Sequence, residues 1–480
     1  MAKLKSGTRI YGTATVDTTL TASSGPVLVG TASSTGTASQ TLQITGGAYV
    51  SGNLGIGSTN PTSKLSVIGS TLITGITSIR DVTIDKNTTS PNATVPVAVI
   101  GVTTTGISTE TNIDIALIAK GTGATLAQVP DGTVAGGNKR GDYATDWQKI
   151  RGIASQVASG SYSSIGGGGN NTAGFYAVVG GGQGNNASGL WAAIAGGVNN
   201  VASGDGSFVG GGGATNTASS NYSFIGGGQS NTASTSTHAT VVGGSSNVAS
   251  GQYSFIGGGG ANIANASYTF VGGGNNNYAQ TNTHATVVGG SSNVASGQYS
   301  FIGGGFGHQA NDSYSAIMGG ARGITRSIIG YHVFPACNGP IASSNGVTQS
   351  ALLLLGRETT DATATVLTSN SSAASTTNQV ILPNNAAYFF KGSCIAGVTG
   401  AGNTKAWEFK GAIKRGANAA STSIVGTVIK DVIASDSGAS AWDITITADT
   451  TNGGIAVTVT GQASTTIRWV CKIETTEMTY

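Results

Sequence analysis

The sequence predicts an all-β protein. Its middle reads as a parallel β-roll, or solenoid, of about 15-residue coils, and its C-terminal part as an antiparallel β-sandwich of jelly-roll type. Three observations carry this. From Ser161 to Thr325 the chain repeats itself, as in Tyr253-Ser-Phe-Ile-Gly-Gly-Gly-Gly-Ala-Asn-Ile-Ala-Asn265. A period of roughly 15 residues holds two short strands and two tight turns. Beyond Arg326 apolar and polar residues alternate strictly, as half-buried strands require. Amphipathic helix patterns are missing from the whole sequence.

Composition agrees and excludes several functions. Charged residues make up 9% of the 480, Gly contributes 78, and the net charge is +3 with 38% hydrophobic residues. Disorder needs low hydrophobicity with high charge, so a folded chain is expected. No Lys/Arg stripe exists to replace phosphate counterions, which argues against a nucleic-acid partner. Met1-Ala-Lys-Leu-Lys-Ser-Gly7 opens without an apolar run, and no apolar stretch reaches the roughly 18 residues of a membrane helix. The expectation is synthesis in a reducing cytosol without membrane insertion. Cys337, Cys394 and Cys471 offer neither a disulfide framework from spacing nor a metal pattern, and no cofactor is expected.

Residues 1–140 form a Thr/Ser/Gly-rich region of short apolar runs, such as Ser66-Val-Ile68 and Val95-Pro-Val-Ala-Val-Ile100. Turn signals at Gly46-Gly47, Asn60-Pro61, Ser90-Pro91-Asn92 and Pro130-Asp131-Gly132 punctuate them. Small β modules or an extended shaft follow from this. Tyr143 to Ile150 is predicted as one short helix before the roll.

The roll, residues 141–325, can be read column by column. The second apolar position before the glycines is Ile165, Val179, Ile194, Val209, Ile225, Val242, Ile256, Val271, Val288, Ile302 and Ile317, β-branched throughout. The residue before each is Ser164, Val178, Ala193, Phe208, Phe224, Val241, Phe255, Phe270, Val287, Phe301 and Ala316. Strand side chains alternate faces, so one column fills the coil and the other runs down its outside. An exposed apolar stripe predicts self-association around a symmetry axis. The glycines read as turns with positive φ and close coil packing, since no G-x-x-x-x-G-K-[ST] follows them. Asn171, Asn186, Asn200, Asn216, Asn231, Asn247, Asn262, Asn277 and Asn293 fit turns or a stacked amide ladder.

Thr237 to Gly259 recurs unchanged as Thr283 to Gly305, a duplication of three coils. It places His238 and His284 on one face but about 14 Å apart, at about 4.8 Å per coil, too far to share a metal within a subunit. A ring of symmetry-related His on an axis stays open as a minor reading.

Residues 326–480 predict the sandwich. Trp407, Phe409 and Ile413 face opposite to Glu408, Lys410 and Lys414, and Trp442, Ile444 and Ile446 alternate with Asp443, Thr445 and Thr447. Thr451-Asn-Gly-Gly454 marks a hairpin leading to Ile455, Val457 and Val459. The last strand directs Ile467, Trp469, Cys471 and Ile473 inward and Arg468, Lys472 and Glu474 outward, with Cys471 a core thiol.

The Tyr-Ser-Phe-Ile-Gly-Gly-Gly-x-x-Asn-x-Ala-Ser-Gly repeat resembles the head repeats of YadA-type trimeric autotransporter adhesins. The resemblance implies a left-handed parallel roll assembled as a homotrimer, although the chain shows neither that family's signal peptide nor its helical stalk and anchor. Gly52-Asn-Leu-Gly-Ile-Gly-Ser-Thr-Asn-Pro-Thr-Ser-Lys-Leu65 is similar to a stretch of tail-fibre and related structural proteins of cyanophage-like tailed phages. So is the run from Asn138-Lys-Arg-Gly141 through Asp146-Trp-Gln148 to Ala154-Ser-Gln-Val-Ala-Ser-Gly160. Together these resemblances imply a non-enzymatic virion fibre. Its N-terminal region would meet other virion proteins, and its C-terminal knob a host cell-surface glycan or protein. A capsid-attached head fibre is a variant of the same expectation.

The enzyme alternative is a tailspike hydrolysing host glycan, which needs two carboxylates about 5 to 10 Å apart across a groove. The roll offers Asp205 and Asp312, far apart, and the knob Glu408, Asp431, Asp436, Asp443, Asp449, Glu474 and Glu477, mostly at outward or loop positions. Solvated surface charge is the plainer reading, and no catalytic residue is assigned. A flat Ser/Thr/Asn face for ice or crystalline carbohydrate would require regular Thr columns, and the exposed columns are mixed. Receptor contacts are expected on knob loops such as 338–348, 370–378, 399–404 or 434–440.

Overall fold

The computed structural model describes residues 119, 121–335, 339–400 and 402–480. It also gives the backbone of four strands, Val27–Val29, Leu42–Ile44, Leu54–Ile56 and Leu65–Val67, paired in parallel first with second and third with fourth. Most of the region 1–140, including Val95 to Ile100, lies outside the described residues, as does Cys337. Residues 114–480 form one compact unit.

The predicted roll is present, with about 13 turns of ~15-residue coils. Most coils give two strands of two residues. One sheet runs in parallel from Thr125–Leu126 and Thr145–Asp146 through Ser164–Ile165 to Ala316–Ile317. The other is a 10-stranded sheet from Thr172–Ala173 to Gln309–Ala310. Ile165, Val179, Ile194, Val209, Ile225, Ile256, Val271, Ile302 and Ile317 point inward and are buried. They face a column of buried alanines that includes Ala173, Ala187, Ala202 and Ala264. A methyl opposite a branched side chain lets the two sheets lie close together.

Two coils depart from the predicted columns. Val241 and Val287 are the inward residues there, and Val242 and Val288 lie outside, nearly half exposed at 47% and 46%. These coils carry two glycines instead of three, so counting back from the glycines slips by one residue. Val242 stands where Gly257 stands in the next coil, as their matching hydrogen bonds to Ile256 and Val271 carbonyls indicate. The outward partners in register are accordingly Thr240 and Thr286.

The last glycine of each group is the one the backbone requires. Gly244, Gly259 and Gly274 sit at φ of 91°, 86° and 90°. A Cβ on Gly259 would fall 2.0 Å from the carbonyl oxygen of Gly274 in the next coil. Only a residue without a side chain permits that approach.

The asparagines form a buried ladder. Each Oδ1 accepts the backbone N–H of its successor, as from Asn247 to Asn262 and from Asn262 to Asn277, both 3.0 Å. Each Nδ2 donates to glycine carbonyls, as Asn262 does to Gly258 at 2.9 Å and Gly274 at 3.0 Å. Asn185, not Asn186, is the rung in its coil, bonded to Asn171 and Asn200 at 3.0 Å. Gln148 Oε1 takes the N–H of Asn171 at one end, and at the other the His308 N–H donates to Asn293 Oδ1 while its Nδ1 accepts the Gly323 N–H. The ladder thus satisfies turn groups that no strand pairing reaches.

The predicted helix from Tyr143 to Ile150 is instead a coil of the roll. Thr145–Asp146 pairs in parallel with Ser164–Ile165, placing Asp146 where the next coil has Ile165. This buried carboxylate is held by Arg140 at 2.8 Å and Arg151 at 3.3 Å. Pairing with two guanidinium groups makes the burial tolerable.

At the other end the roll passes directly into the sandwich. Strand β1 (His332–Pro335) pairs in parallel with Ala316–Ile317 and antiparallel with β2 (Thr348–Thr359). Between β2 and the hairpin come β3 (Thr365–Val366), β4 (Val380–Ile381), β5 (Ala386–Val398), β6 (Thr404–Arg415) and β7 (Ser423–Ser435). The chain closes with β8 (Asp443–Asp449), β9 (Gly454–Thr460) and β10 (Ile467–Thr479). The large sheet runs β1-β2-β10-β5-β6-β7, and β3, β4 and β8 surround β9 in the small one. Trp407, Trp442, Trp469, Phe390 and Leu353 fill the space between, with the predicted alternation in β6, β8, β9 and β10.

Candidate interaction surfaces

The outer face of the first roll sheet carries the column that the sequence pointed to, and a second one beside it. Phe208, Phe255 and Phe301 are partly buried, while Val178, Phe224 and Phe270 are exposed. Phe208 stacks on Phe224 at 5.3 Å and Phe255 on Phe270 at 5.4 Å.

Two residues before each of these, at the corner entering the sheet, stand Tyr143, Tyr162, Tyr176, Trp191, Tyr222, His238, Tyr253, Tyr268, His284, Tyr299 and Tyr314. All lie in the left-handed region, φ from 53° to 64°. That conformation is unfavourable for a residue with a Cβ, and here stacking offsets it. His238 lies 5.2 Å from Tyr222 and 4.7 Å from Tyr253, ring to ring, and Tyr253 is 5.3 Å from Tyr268. In the sequence this corner column shows as the recurrent Tyr two residues before the Phe-Ile pair. His238 and His284 are both rungs, with Tyr253 and Tyr268 between them, so they stand three coils apart as expected.

The knob offers a second face, the outside of β10, β5, β6 and β7. Lys472, Ser393, Glu408 and Asp431 are successive cross-strand neighbours, and beside them run Glu474, Lys391 and Lys410. These residues line a depression of about 250 Å³. Glu474 bonds Lys391 at 2.8 Å and Lys472 at 2.7 Å, and these hydrogen bonds hold its pKa down at about 2. Beyond the charges, edge strand β7 leaves Val425, Ile429, Val432 and Ile433 exposed. Such an edge is normally covered by something.

The other predicted carboxylates scatter. Asp436 accepts the Thr404 N–H, Asp443 pairs with Lys430 at 2.8 Å, and Asp449 caps the hairpin turn at Thr451 and Asn452. Asp205 and Asp312 lie on different coils of the roll. Glu477 is the exception among these mostly outward carboxylates, because it falls on the inward phase of β10. There it joins roll to knob, bonded to Arg326 at 3.0 Å, Gln349 at 2.8 Å, Thr475 at 2.9 Å and the Tyr331 hydroxyl. Burial and then the Glu477 charge push the hydroxyls of Tyr331 and Tyr388 well above the ordinary tyrosine range. Burial opposes the Arg326 charge, but Tyr388 and Glu477 outweigh it and raise its pKa.

Cys471 is a buried core thiol, as predicted, and the fold places Cys394 directly opposite it on β5. Sequence spacing had no means of bringing them together. The Cys394 hydrogen bond and burial raise the Cys471 pKa well above the usual thiol range. Of the predicted loops, 370–378 is tied internally by Asn378 to Asn370 and Ala373, while parts of 338–348 and 399–404 coincide with residues the structure does not describe. Among the described residues no cluster of three His, Cys, Asp or Glu side chains is placed to hold a metal.

The fold defines the chain as an all-β protein, a parallel solenoid continued by antiparallel sheets. No family model and no curated protein matches it. Among solved structures, the tailspike protein gp49 of Acinetobacter baumannii bacteriophage Fri1, a capsular polysaccharide depolymerase, aligns with 9% identity and a TM-score of 0.17. The alignment covers 70% of this chain and 69% of that one. A score this low carries no argument about fold or activity.

Proposed function

We propose that the chain is a structural fibre of a tailed-phage virion, trimeric along the roll, that meets the host cell surface through its 326–480 knob. The observation that supports this reading is the outer face of the roll, where pairs of Phe interrupted by Thr240 and Thr286 run beside the stacked corner aromatics. An apolar face of this length is a liability on a free monomer and a natural interface between parallel copies. Three knobs on one rod would bind together far more firmly than one alone. Residues 1–140 are assigned to contact with other virion proteins on the sequence resemblance.

Light scattering of the purified chain tests the assembly, with a mass of three chains expected and a monomer contradicting it. Immunogold electron microscopy of phage particles with antibody against residues 326–480 tests the location. Gold on tail fibres supports the reading, gold on the capsid moves it to a head fibre, and gold on no particle removes it.

A glycan-hydrolase reading has one observation in its favour. Glu408 and Asp431 are directly opposite on neighbouring strands. Opposite Cβ atoms lie about 4.5–5.5 Å apart, within reach of the carboxylate spacing of retaining enzymes. Both are exposed, and the depression they line is shallow and open to solvent, so it does not exclude water. Release of reducing ends from host polysaccharide, abolished by Glu408→Gln, would establish this reading over the first.

A further inference from the structure

Of three cysteines in 480 residues, two face each other. Cys394 on β5 lies directly opposite Cys471 on β10, in a register unbroken from Ala386 and Thr479 to Val398 and Ile467. The phase of this ladder follows from its end, where the Tyr480 N–H donates to the Asn385 carbonyl at 2.8 Å. Asn385 and Tyr480 are therefore a hydrogen-bonded pair, and such pairs alternate with non-hydrogen-bonded ones along antiparallel strands. Cys394 and Cys471 lie an odd number of residues further along, so they fall on the non-hydrogen-bonded phase. Opposite Cα atoms there are about 4.5 Å apart, and their side chains approach most closely. A disulfide spans Cα distances of about 4.4–6.8 Å. The backbone thus already holds the two sulfurs where a bond can close without moving a strand.

Both thiols point into the core, Cys394 at 2% and Cys471 at 0% exposure, and they are hydrogen-bonded to each other. Leu355 on β2 and Trp407 on β6 continue the row on either side, and both are buried. Two thiols are too few for a structural zinc, and among the described residues no cluster of three His, Cys, Asp or Glu includes them. Packing alone asks only for two small hydrophobes. Sulfur at both positions permits something that two such hydrophobes do not.

We infer that Cys394 and Cys471 are a dithiol that closes to a disulfide when the chain meets an oxidising solution, tying β5 to β10 at the middle of the large sheet. With oxidised glutathione as the oxidant, one cysteine thiolate attacks its disulfide, leaving a mixed disulfide and releasing one glutathione thiolate. The other cysteine thiolate attacks the protein-bound sulfur, and the second glutathione leaves. The two cysteines lose two protons and two electrons, which the glutathione disulfide takes up as two thiols. Burial shields the pair in the closed knob, so exchange proceeds while the knob folds or opens. Ser393 and Lys472, next in the chain to the two cysteines, line the depression on the outer face. The bond therefore fixes the strands beneath that face, and it stands whether or not the chain is a virion fibre.

The full-length chain would be incubated with reduced and oxidised glutathione in urea below its unfolding midpoint, where the knob opens and recloses. It would then be quenched with iodoacetamide, unfolded and digested with trypsin. Residues 392–405 are expected joined to residues 469–472, separating on reduction. The oxidised chain should melt about 5–15 °C above the same chain kept in a phosphine reductant, because the bond constrains the unfolded state. This comparison needs no variant, and Cys394→Ala should abolish both the joined peptide and the difference in melting. Free thiols at Cys394 and Cys471 after incubation would overturn the inference. So would a bond from either to Cys337 or to another chain, or a joined chain that melts below the reduced one.

Discussion

The roll and the sandwich bury their chains in opposite ways. In the roll, residue pairs are one coil apart, as Asn247 and Asn262 are, and every coil meets only its two neighbours. In the sandwich, Trp469 Nε1 reaches Thr359 Oγ1 across 110 residues of sequence. The roll's core is thin, made of Ile, Val, Ala and Asn, while the sandwich is centred on Trp407, Trp442 and Trp469. The roll therefore depends on backbone approach repeated without exception. The sandwich depends on bulk and on a few long-range polar contacts.

Substitutions at equivalent depth should separate the two designs. The largest loss is expected for Gly259→Ala in the roll. Its methyl would meet backbone, the Gly274 carbonyl oxygen at 2.0 Å, and backbone held by two sheets has no direction in which to yield. A loss above about 4 kcal/mol is expected, seen as a collapse of the roll's thermal transition. An unchanged melting temperature would refute the account of the glycine column.

Glu477→Gln comes next, at the junction. It removes the charge that compensates buried Arg326 and weakens the contacts of Tyr331 and Gln349. Breaking a buried pair from one side costs about 3–5 kcal/mol, which urea unfolding of the knob should register. Asn262→Ala should cost less, about 1–3 kcal/mol, for leaving the buried Asn277 N–H without an acceptor. Because coils couple only to neighbours, hydrogen exchange should quicken around Asn262 and leave the knob unchanged.

His308 turns the same ladder into a pH probe. Burial lowers its pKa below 6.5, ahead of the opposing Gly320 and Gly304 carbonyls. The unfolded chain then binds the proton more readily, so stability is complete above about pH 6.5 and declines as pH falls below it. His308→Asn, which restores the residue of the other coils, should flatten this dependence in melting curves taken between pH 7 and pH 5. A wild-type midpoint that rises on acidification would reverse the sign and exclude the mechanism.

What could be read in advance follows the same division. The inward Ile and Val columns were legible because a strand's alternation and a fixed period leave no other arrangement. The slips at Val242, Val288 and Asn186 came from coils of different length, where sequence spacing cannot say which residue is the insertion. Strand faces in the knob were legible at Trp407 and Ile473, because burial on one side imprints alternation. The inward place of Glu477 was not legible, because a charged residue on an inward phase looks like the end of the strand until its partners are known. Those partners, Arg326 and Tyr331, are brought to it by tertiary pairing alone.

The smallest effect expected lies on the knob's outer face and sharpens the contrast with Glu477. Glu474 also faces cations, Lys391 at 2.8 Å and Lys472 at 2.7 Å, and its pKa is drawn down to about 2. The two glutamates differ in solvent access. Water screens the Glu474 pairs and replaces their hydrogen bonds when they are broken, so the geometry contributes little net stability. Glu474→Gln should change unfolding stability by less than about 0.5 kcal/mol, and added salt should erase even that. The depressed pKa gives the residual contribution its pH window: it is present above the unfolded value near 4.5 and disappears as pH falls toward 2. A loss from Glu474→Gln as large as that from Glu477→Gln would mean that the sheet face is covered in the assembled protein. The charged rows would then belong to a contact between subunits and not to a surface presented to a host.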